Sequence, residues 1–249
     1  MAYKNPDPES LARRVVRKPR PPPRSARRAR AAAASAAASP AGFNPLSAFP
    51  PAPPPQDDAP LLEPSEVLFG GHPHVIRLLG PADEGRLISF FNSHTGETIR
   101  QRYGYRISEM THERAQRLVG VDQSRDVALG VFERATDGEE VLHAVGRYLL
   151  DAAGRSAEMA FVVRETKRGL GICTVLVRRL LLIARARGMS YLFAQVQADN
   201  APMLAAFRRY GGRMRPIPGA DATEAFVPTV LPSEPSGSHR KNDWTTRPA

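Results

Sequence analysis

Apolar residues recur in short runs and helical spacings along the chain from residue 61 onwards. The run over 159–163 is typical of a buried strand. Over 175–184, apolar side chains recur three and four residues apart, which predicts a helix that stops near Gly188. A charged turn and two glycines, Gly169 and Gly171, lie between the strand and the helix. The pattern therefore predicts a strand, a glycine-bearing loop and a helix in succession.

Further apolar runs predict strands on both sides of this unit. These strands cover residues 75–79, 126–132, 141–150, 191–196, 213–217 and 225–230. Helical spacing predicts helices from residue 83 and over 97–103, 112–121 and 201–210. Turn residues at 136–138 and 151–154 predict an antiparallel meander that leads into the glycine-bearing loop. The fold class is therefore α/β, in the α+β sense, with a mixed, mostly antiparallel, twisted sheet flanked by helices.

Residues 1–60 differ in composition from the rest of the chain. They hold 14 of the 24 prolines, a run of alanines and almost no large apolar side chains. Such a segment buries too little surface to offset the entropy of ordering it, which predicts disorder. We therefore predict a disordered Arg/Pro/Ala-rich tail over 1–60, a folded domain over 61–231 and a flexible tail over 232–249.

Positive charge is concentrated in the same segment. Six of the ten net positive charges of the chain fall within residues 1–60. A basic run of this kind can contact nucleic acid or an anionic surface without sequence preference. It lacks aromatic side chains on which bases could stack, so a solvated linker is the alternative interpretation. We find no signal segment or membrane-length apolar run, which predicts a cytoplasmic protein without membrane insertion.

The glycine loop, residues 168–174, has the features of a phosphate-binding turn. Backbone N–H groups at the start of a helix are unpaired, and the helix dipole places partial positive charge there. Glycines let phosphates approach the backbone without an intervening side chain. The P-loop string GxxxxGK[ST] and the dinucleotide fingerprint GxGxxG do not fit this stretch.

The loop does fit the pattern [QR]-x-x-G-x-[GA], from Arg168 to Cys173, with cysteine where Gly or Ala is usual. A strand, Asn200 at the start of a helix and Gly211 at its end follow in register. Over residues 61–230 the chain thus resembles the GNAT acetyltransferase superfamily. The stretches F-x(5)-E-x-x-R-x-R-[FY] over 91–103 and A-E-x-A-F over 157–161 resemble its bacterial protein-lysine acetyltransferase branch.

This resemblance implies a GNAT fold and acetyl-CoA as the co-substrate. The glycine loop would bind the pyrophosphate, with a charge-assisted contact from Arg168, and the pantetheine arm would lie along residues 161–163. The N–H of Val162 would face the thioester oxygen. Asn200 would lie near the cofactor, although a plain helix cap explains it equally well. The implied cofactor-binding residues are Phe161, Val162, Val163, Arg168, Gly169, Leu170, Gly171, Ile172, Cys173, Thr174 and Asn200.

Glu158 is the candidate general base. It precedes the apolar residues of the central strand, and a carboxylate beside a buried cleft is expected to have a raised pKa. The alternatives are a solvated carboxylate at a strand end, or Glu165 as the base. Many GNAT enzymes carry a tyrosine that protonates the departing thiolate seven residues after the asparagine, whereas this chain has Phe207 there. A thiol with a pKa near 8.5 can leave without that help.

Cysteine and histidine usage suggests no further chemistry. The single cysteine, Cys173, could act covalently at a helix start, but its place in the loop pattern favours packing. The six histidines show no metal-ligand spacing, so we predict no metal.

The leading hypothesis is an N-acetyltransferase that acts on a protein lysine. A small-molecule amine acetyltransferase is the alternative enzyme. A catalytically silent acetyl-CoA-binding regulator with a nucleic-acid-contacting tail is the alternative outside enzymes.

Overall fold

The computed structural model describes residues 49–103, 109–135, 138–151 and 156–231. Residues 1–48 of the predicted N-terminal tail and the whole predicted C-terminal tail, 232–249, lie outside the described residues. The described part forms one mixed sheet with helices on both faces, as the sequence predicts. Among these residues, no helix combines the length and apolar character needed to cross a bilayer.

Eight strands form the sheet, in the order β1-β2-β3-β4-β5-β6-β8-β7. They are β1 (Ser65–Phe69), β2 (His72–Leu78), β3 (Val127–Arg134), β4 (Glu140–Leu150), β5 (Ala157–Val163), β6 (Tyr191–Gln197), β7 (Arg213–Pro216) and β8 (Ala222–Pro228). Neighbouring strands are antiparallel except β5 and β6, which are parallel. The predicted meander and the final hairpin are confirmed, and β1 is a strand that the sequence analysis missed.

In the part of the chain that the structure describes, six α-helices accompany the sheet. They are α1 (Ala59–Leu62), α2 (Glu84–Asn92), α3 (Gly96–Tyr103), α4 (His112–Val119), α5 (Ile172–Ala186) and α6 (Ala201–Arg209). Because parallel strands need a crossover connection, α5 joins β5 to β6. Its predicted stop is confirmed, since Gly188 follows with a φ of 77°.

The core lies in two layers, one on each face of the sheet. The larger cluster packs α5 and α6 against the sheet and includes Leu176, Leu180 and Phe207. The smaller cluster packs α2, α3 and α4 against the other face and includes Phe90, Ile99 and Val119. Side chains alternate between these layers along β5, because successive residues of a strand point to opposite faces.

The segment 49–58 packs against the domain, although its composition predicts disorder. The Phe49 ring lies 6.0 Å from that of Tyr191, and Ala52 N donates to Ser190 Oγ at 2.9 Å. Gln56 N donates to Ala186 O at 2.7 Å, and Asp58 pairs with Arg187 at 2.6 Å. The predicted domain start at residue 61 therefore falls inside a packed stretch.

A chain that begins at residue 49 should consequently be more stable than one that begins at residue 59. The shorter chain loses the hydrogen bonds donated by Ala52 N and Gln56 N, the ion pair of Asp58 with Arg187 and the buried ring of Phe49. After the entropy of ordering the segment is offset, we expect its free energy of unfolding to fall by about 1–2 kcal/mol. Thermal melts of the two chains measure this difference. Equal Tm values would show that residues 49–58 contribute nothing.

Arg179 is buried in α5 at 1 % exposure and anchors the start of the domain. Its Nε donates to Leu61 O at 2.8 Å, and its two terminal nitrogens donate to Ser65 Oγ and Glu63 O. Burial lowers the pKa of this guanidinium to about 10, so it stays charged at pH 7.

Replacing Arg179 by methionine should therefore cost about 2–4 kcal/mol of stability. The methionine retains most of the side-chain volume, but it leaves three partly buried acceptors, Leu61 O, Glu63 O and Ser65 Oγ, without this donor. Chemical denaturation measures the loss, and the exposed Arg185 of the same helix provides the control variant Arg185→Met. A loss below 1 kcal/mol would contradict the anchoring role.

Candidate functional site

The two parallel strands at the centre of the sheet diverge. β5 and β6 pair at a single position, with Glu158 opposite Phe193, in a stretch where every residue is described. On its other side β5 pairs with β4 from Ala157 to Val163, and β6 pairs with β8 along its whole length. Each strand thus stays with its outer neighbour while a gap forms between them, which we call the inter-strand opening.

The hydrogen-bond pattern of β5 fixes which backbone groups face this opening. Asp151 N donates to Ser156 O at one end of the β4–β5 ladder, and Arg164 N donates to His143 O at the other, both at 2.8 Å. The register between these ends is continuous. Because N–H and C=O groups alternate in direction along a strand, even-numbered residues of β5 bond to β4 and odd-numbered residues face β6.

This alternation bears on the role predicted for Val162. Its N–H points to β4, opposite Val145, and cannot reach a thioester in the opening. The N–H groups of Phe161 and Val163 face the opening instead. The side chain of Val162 packs against the cluster formed by α2, α3 and α4.

The glycine loop closes one end of the opening. Gly169 and Gly171 have φ values of 79° and 84°, and a Cβ built on either glycine meets no atom within 4 Å. Val175 N donates to Gly171 O at 3.2 Å as the first hydrogen bond of α5. By helix geometry, the N–H groups of Ile172, Cys173 and Thr174 point out of the helix end. The loop therefore offers open space lined by backbone donors.

Side chains of the glycine loop differ in their burial and in their contacts. Ile172 is buried in the larger core cluster, and Leu170 is 37 % exposed. Arg168 lies across the loop towards α3, where its Nη2 donates to Thr98 Oγ1 at 2.6 Å. Its guanidinium also lies 3.9 Å from a carboxylate oxygen of Glu165. A phosphate contact by Arg168 would thus be shared with these groups.

Glu165 links the loop to the corner between α2 and α3. Its carboxylate accepts from Thr95 N at 2.9 Å, from Thr95 Oγ1 at 3.1 Å and from His94 Nδ1 at 2.9 Å. Burial alone would raise the pKa of Glu165, but hydrogen bonds from Thr98, Thr95 and His94 together lower it to about 2. A carboxylate with so low a pKa is a poor proton acceptor at pH 7.

Glu158 lies at the paired end of the opening and is half-buried. It shares a face of β5 with Ala160 and Val162, because side chains alternate along a strand. At about 3.3 Å per residue, its Cα lies roughly 10 Å along the strand from that of Phe161. Arg147, which is 5 % exposed, lies on the same face of β4, opposite Ala160. The sequence analysis did not single out this arginine.

The start of α6 lies beside the start of α5. Asn200 caps α6, since its Oδ1 accepts from Met203 N at 3.3 Å. Phe207 is buried and its ring centroid lies 6.1 Å from that of Phe161. Tyr210 donates its hydroxyl to Thr174 O at 3.0 Å. The position of the usual family tyrosine therefore holds an apolar ring, and the nearest tyrosine along α6 bonds to α5.

Cys173 packs between the two helix starts, with its Sγ 3.9 Å from Met203 Sδ. Burial raises the pKa of its thiol to about 12, so the thiolate is scarce at pH 7.

Cys173→Ala should therefore keep kcat within about twofold of wild type. Steady-state assays before and after treatment with a thiol alkylator measure this. A loss of more than about tenfold in both the variant and the alkylated enzyme would indicate a covalent role.

Helix α3 covers the opening from the other face of the sheet. Arg100 donates to Asp199 Oδ2 at 2.9 Å and to Gln197 Oε1 at 3.4 Å, and it pairs with Glu97 at 2.7 Å. Glu97 and Arg100 belong to the motif over 91–103, whose spacing places them one turn apart. The sequence did not reveal that this arginine reaches the end of β6.

Comparisons with known proteins agree with this geometry. Residues 93–212 match the model of the Acetyltransferase (GNAT) family. An acetyltransferase of Pseudomonas aeruginosa is 27 % identical over 138 residues, which cover 55 % of this chain and 74 % of the relative. The crystal structure of the GNAT domain of S. lividans PAT aligns with a TM-score of 0.59 and 22 % identity, over 66 % of this chain and 96 % of that one.

The diverging parallel strands and the glycine loop beside them lie within the stretch that matches the family model. The family match over residues 93–212 and the relative from Pseudomonas aeruginosa support membership of the GNAT acetyltransferase superfamily and an acetyl-CoA-dependent N-acetyltransferase activity.

Proposed function

We propose that this chain transfers the acetyl group of acetyl-CoA to the lysine ε-amine of a protein. The inter-strand opening is the observation that carries the proposal. Its β5 edge presents backbone groups of Phe161 and Val163, which suit a pantetheine arm bound as an additional strand. The open backbone donors of the glycine loop, at one end of the gap, suit the pyrophosphate.

The proposed reaction is a direct attack within one complex. Glu158 accepts a proton from the lysine ammonium, directly or through a water molecule, and the neutral nitrogen attacks the thioester carbon. The N–H of Phe161 donates to the oxyanion of the tetrahedral intermediate, because it faces the opening and is the closer of the two available groups to Glu158. The C–S bond then breaks, coenzyme A leaves as a thiolate, and the second amine proton is released.

Two features support Glu158 over Glu165 as the base. Glu165 is already held by hydrogen bonds from α3 and its flanking corner, and its pKa of about 2 makes it a weak proton acceptor. Glu158 is half-buried on the face of β5 that packs against α3. If the cofactor packs against α5 on the opposite face, the acceptor amine approaches from the side on which Glu158 lies. The loss of the family tyrosine at Phe207 is compatible with thiolate departure.

The choice of a protein lysine rests on the motifs over 91–103 and 157–161, which resemble the protein-lysine branch. We further propose that residues 49–231 constitute the catalytic domain, since the packed segment 49–58 extends the predicted 61–231. The basic segment over 13–30 would serve as a linker or a non-specific anionic contact.

The test offers protein and small amines to the same enzyme. The full chain is incubated with acetyl-CoA and a bacterial lysate, and acetyl-lysine sites are mapped by mass spectrometry. In parallel, a panel of polyamines and amino sugars is assayed for coenzyme A release. We expect site-specific protein acetylation and slow turnover of free amines. Because acetyl-CoA modifies lysines slowly without an enzyme, Glu158→Gln and enzyme-free reactions are the controls.

Each other outcome supports a different function. Fast turnover of a free amine with background protein labelling would favour a small-molecule acetyltransferase. Tight acetyl-CoA binding without any turnover would favour a regulator that senses the cofactor.

A further inference from the structure

A cluster of polar side chains lies outside the inter-strand opening, on three neighbouring strands. His74 of β2, Glu133 of β3 and His143 of β4 each offer one ligand atom, and these atoms lie within 4.8 Å of one another. His74 is 1 % exposed and His143 is 7 % exposed. We call these three residues the two-histidine cluster. Burying two imidazoles beside a carboxylate needs a compensating interaction.

The protonation of His74 follows from its hydrogen bond. Its Nδ1 lies 2.9 Å from His72 O, and a carbonyl can only accept, so Nδ1 carries the proton. In this tautomer of the neutral ring, Nε2 carries a lone pair, and this lone pair points into the cluster. This atom is buried and has no hydrogen-bond partner, since Glu133 Oε2 is 3.8 Å away. Metal-binding histidines commonly have this arrangement, with the second ring nitrogen donating to a backbone carbonyl.

His143 completes a suitable set of donors. Its Nε2 lies 2.8 Å from Glu133 Oε2, and its Nδ1 is buried without a partner. Burial favours the neutral form of an imidazole, and the neutral form is the one that binds a metal. Binding through Nε2 moves the ring proton to Nδ1, with no net gain or loss.

Two of the three distances between ligand atoms are close to those of a tetrahedral zinc site. Ligands about 2.05 Å from zinc lie roughly 3.3 Å from one another. The two pairs that share Glu133 Oε2, at 2.8 and 3.8 Å, bracket this value, and the two histidine nitrogens lie within 4.8 Å of each other. Side-chain movements of well under 1 Å would bring both pairs to it. Two histidines and a glutamate are also a common protein ligand set for zinc, with water in the fourth position.

Lys167 currently supplies the cation of the cluster. Its Nζ lies 2.5 Å from Glu133 Oε2, and its side chain is 20 % exposed. The ammonium group can therefore swing into solvent and leave the carboxylate to another cation. We propose that the two-histidine cluster binds one zinc ion, which displaces Lys167 from Glu133.

Metal titration of the full chain tests the proposal. The protein is stripped with a chelator, and zinc sulfate is added in competition with a chromophoric chelator of micromolar affinity. We expect about one equivalent of zinc per chain, a higher Tm with zinc because the folded state alone has the site, and a tetrahedral visible spectrum with cobalt(II). Fewer than about 0.1 equivalents on the wild-type chain would overturn the proposal.

Variants locate the ion. His74→Gln and His143→Gln keep polar side chains of similar size and should each weaken zinc binding at least about 100-fold. Lys167→Met removes the competing cation and should tighten binding about fivefold. The exposed His112, which pairs with Glu84 on the surface, gives the control His112→Gln, with unchanged affinity expected. Zinc that survives in the folded His74→Gln/His143→Gln double variant, or binding unaffected by Lys167→Met, would contradict the assignment.

Discussion

The Glu158→Gln variant should bind acetyl-CoA as tightly as wild type and lose about 10²–10⁴-fold in kcat. The attacking amine must be neutral, yet a lysine with a pKa near 10.4 is about 99.9 % protonated at pH 7. Glutamine keeps the size of the side chain but cannot accept the proton. Cofactor affinity should be unchanged, because the glycine loop and the backbone of β5 supply the proposed contacts independently of this side chain.

Calorimetry and steady-state kinetics on one peptide substrate separate the two effects. Raising the pH should partly restore the rate of the variant, since the free amine becomes more abundant. Glu158→Asp, which keeps a carboxylate, should retain more activity than Glu158→Gln. Wild-type kcat in Glu158→Gln at pH 7 would show that another group accepts the proton.

Glu165 provides an independent comparison for the pH profile. With a pKa of about 2 it stays ionised throughout the neutral range. Its stabilising hydrogen bonds would be lost only as the pH falls through its depressed pKa in the folded state. An ionisation seen in the kinetics between pH 5 and pH 9 therefore belongs to another group.

The Gly171→Glu variant should show no measurable affinity for acetyl-CoA. Gly171 precedes α5 with a φ of 84°, and the space beside its Cα is open. A carboxylate there would occupy the proposed anion site and repel the pyrophosphate. The left-handed backbone adds roughly 1–2 kcal/mol of strain for any side chain.

Two controls separate charge from strain. Gly171→Ala carries the strain without the carboxylate and should weaken binding far less. Gly219→Glu places the same side chain at another positive φ, 73°, in the β7–β8 turn, and should leave affinity unchanged. If Gly171→Glu folds and binds acetyl-CoA like wild type in calorimetry, the pyrophosphate lies elsewhere.

Contiguous features of the site could be predicted from the sequence. The strand, the glycine loop and α5 are encoded by local apolar spacing and by glycines, which have positive φ in the structure. The segment 49–58 could not be recognised, because its prolines and scarce apolar residues are typical of disorder. Its order depends on single contacts with distant residues, such as that between Asp58 and Arg187.

Features that depend on strand pairing could not be predicted from the sequence. The direction of the Val162 N–H follows from the register of β4 and β5, which composition and spacing do not reveal. The two-histidine cluster joins residues from three strands spread over 70 positions, so no short sequence motif predicts it. For the same reason, the contact of Arg100 with Asp199 appears only once α3 is placed over the opening.

A crystal structure of the full chain with coenzyme A tests the central claim most directly. We expect the pantetheine arm in the inter-strand opening, hydrogen-bonded to the backbone of Phe161 and Val163 but not of Val162. The pyrophosphate should accept hydrogen bonds from the N–H groups of residues 169–174. Coenzyme A bound away from β5, or a pyrophosphate without contacts to the glycine loop, would contradict the account.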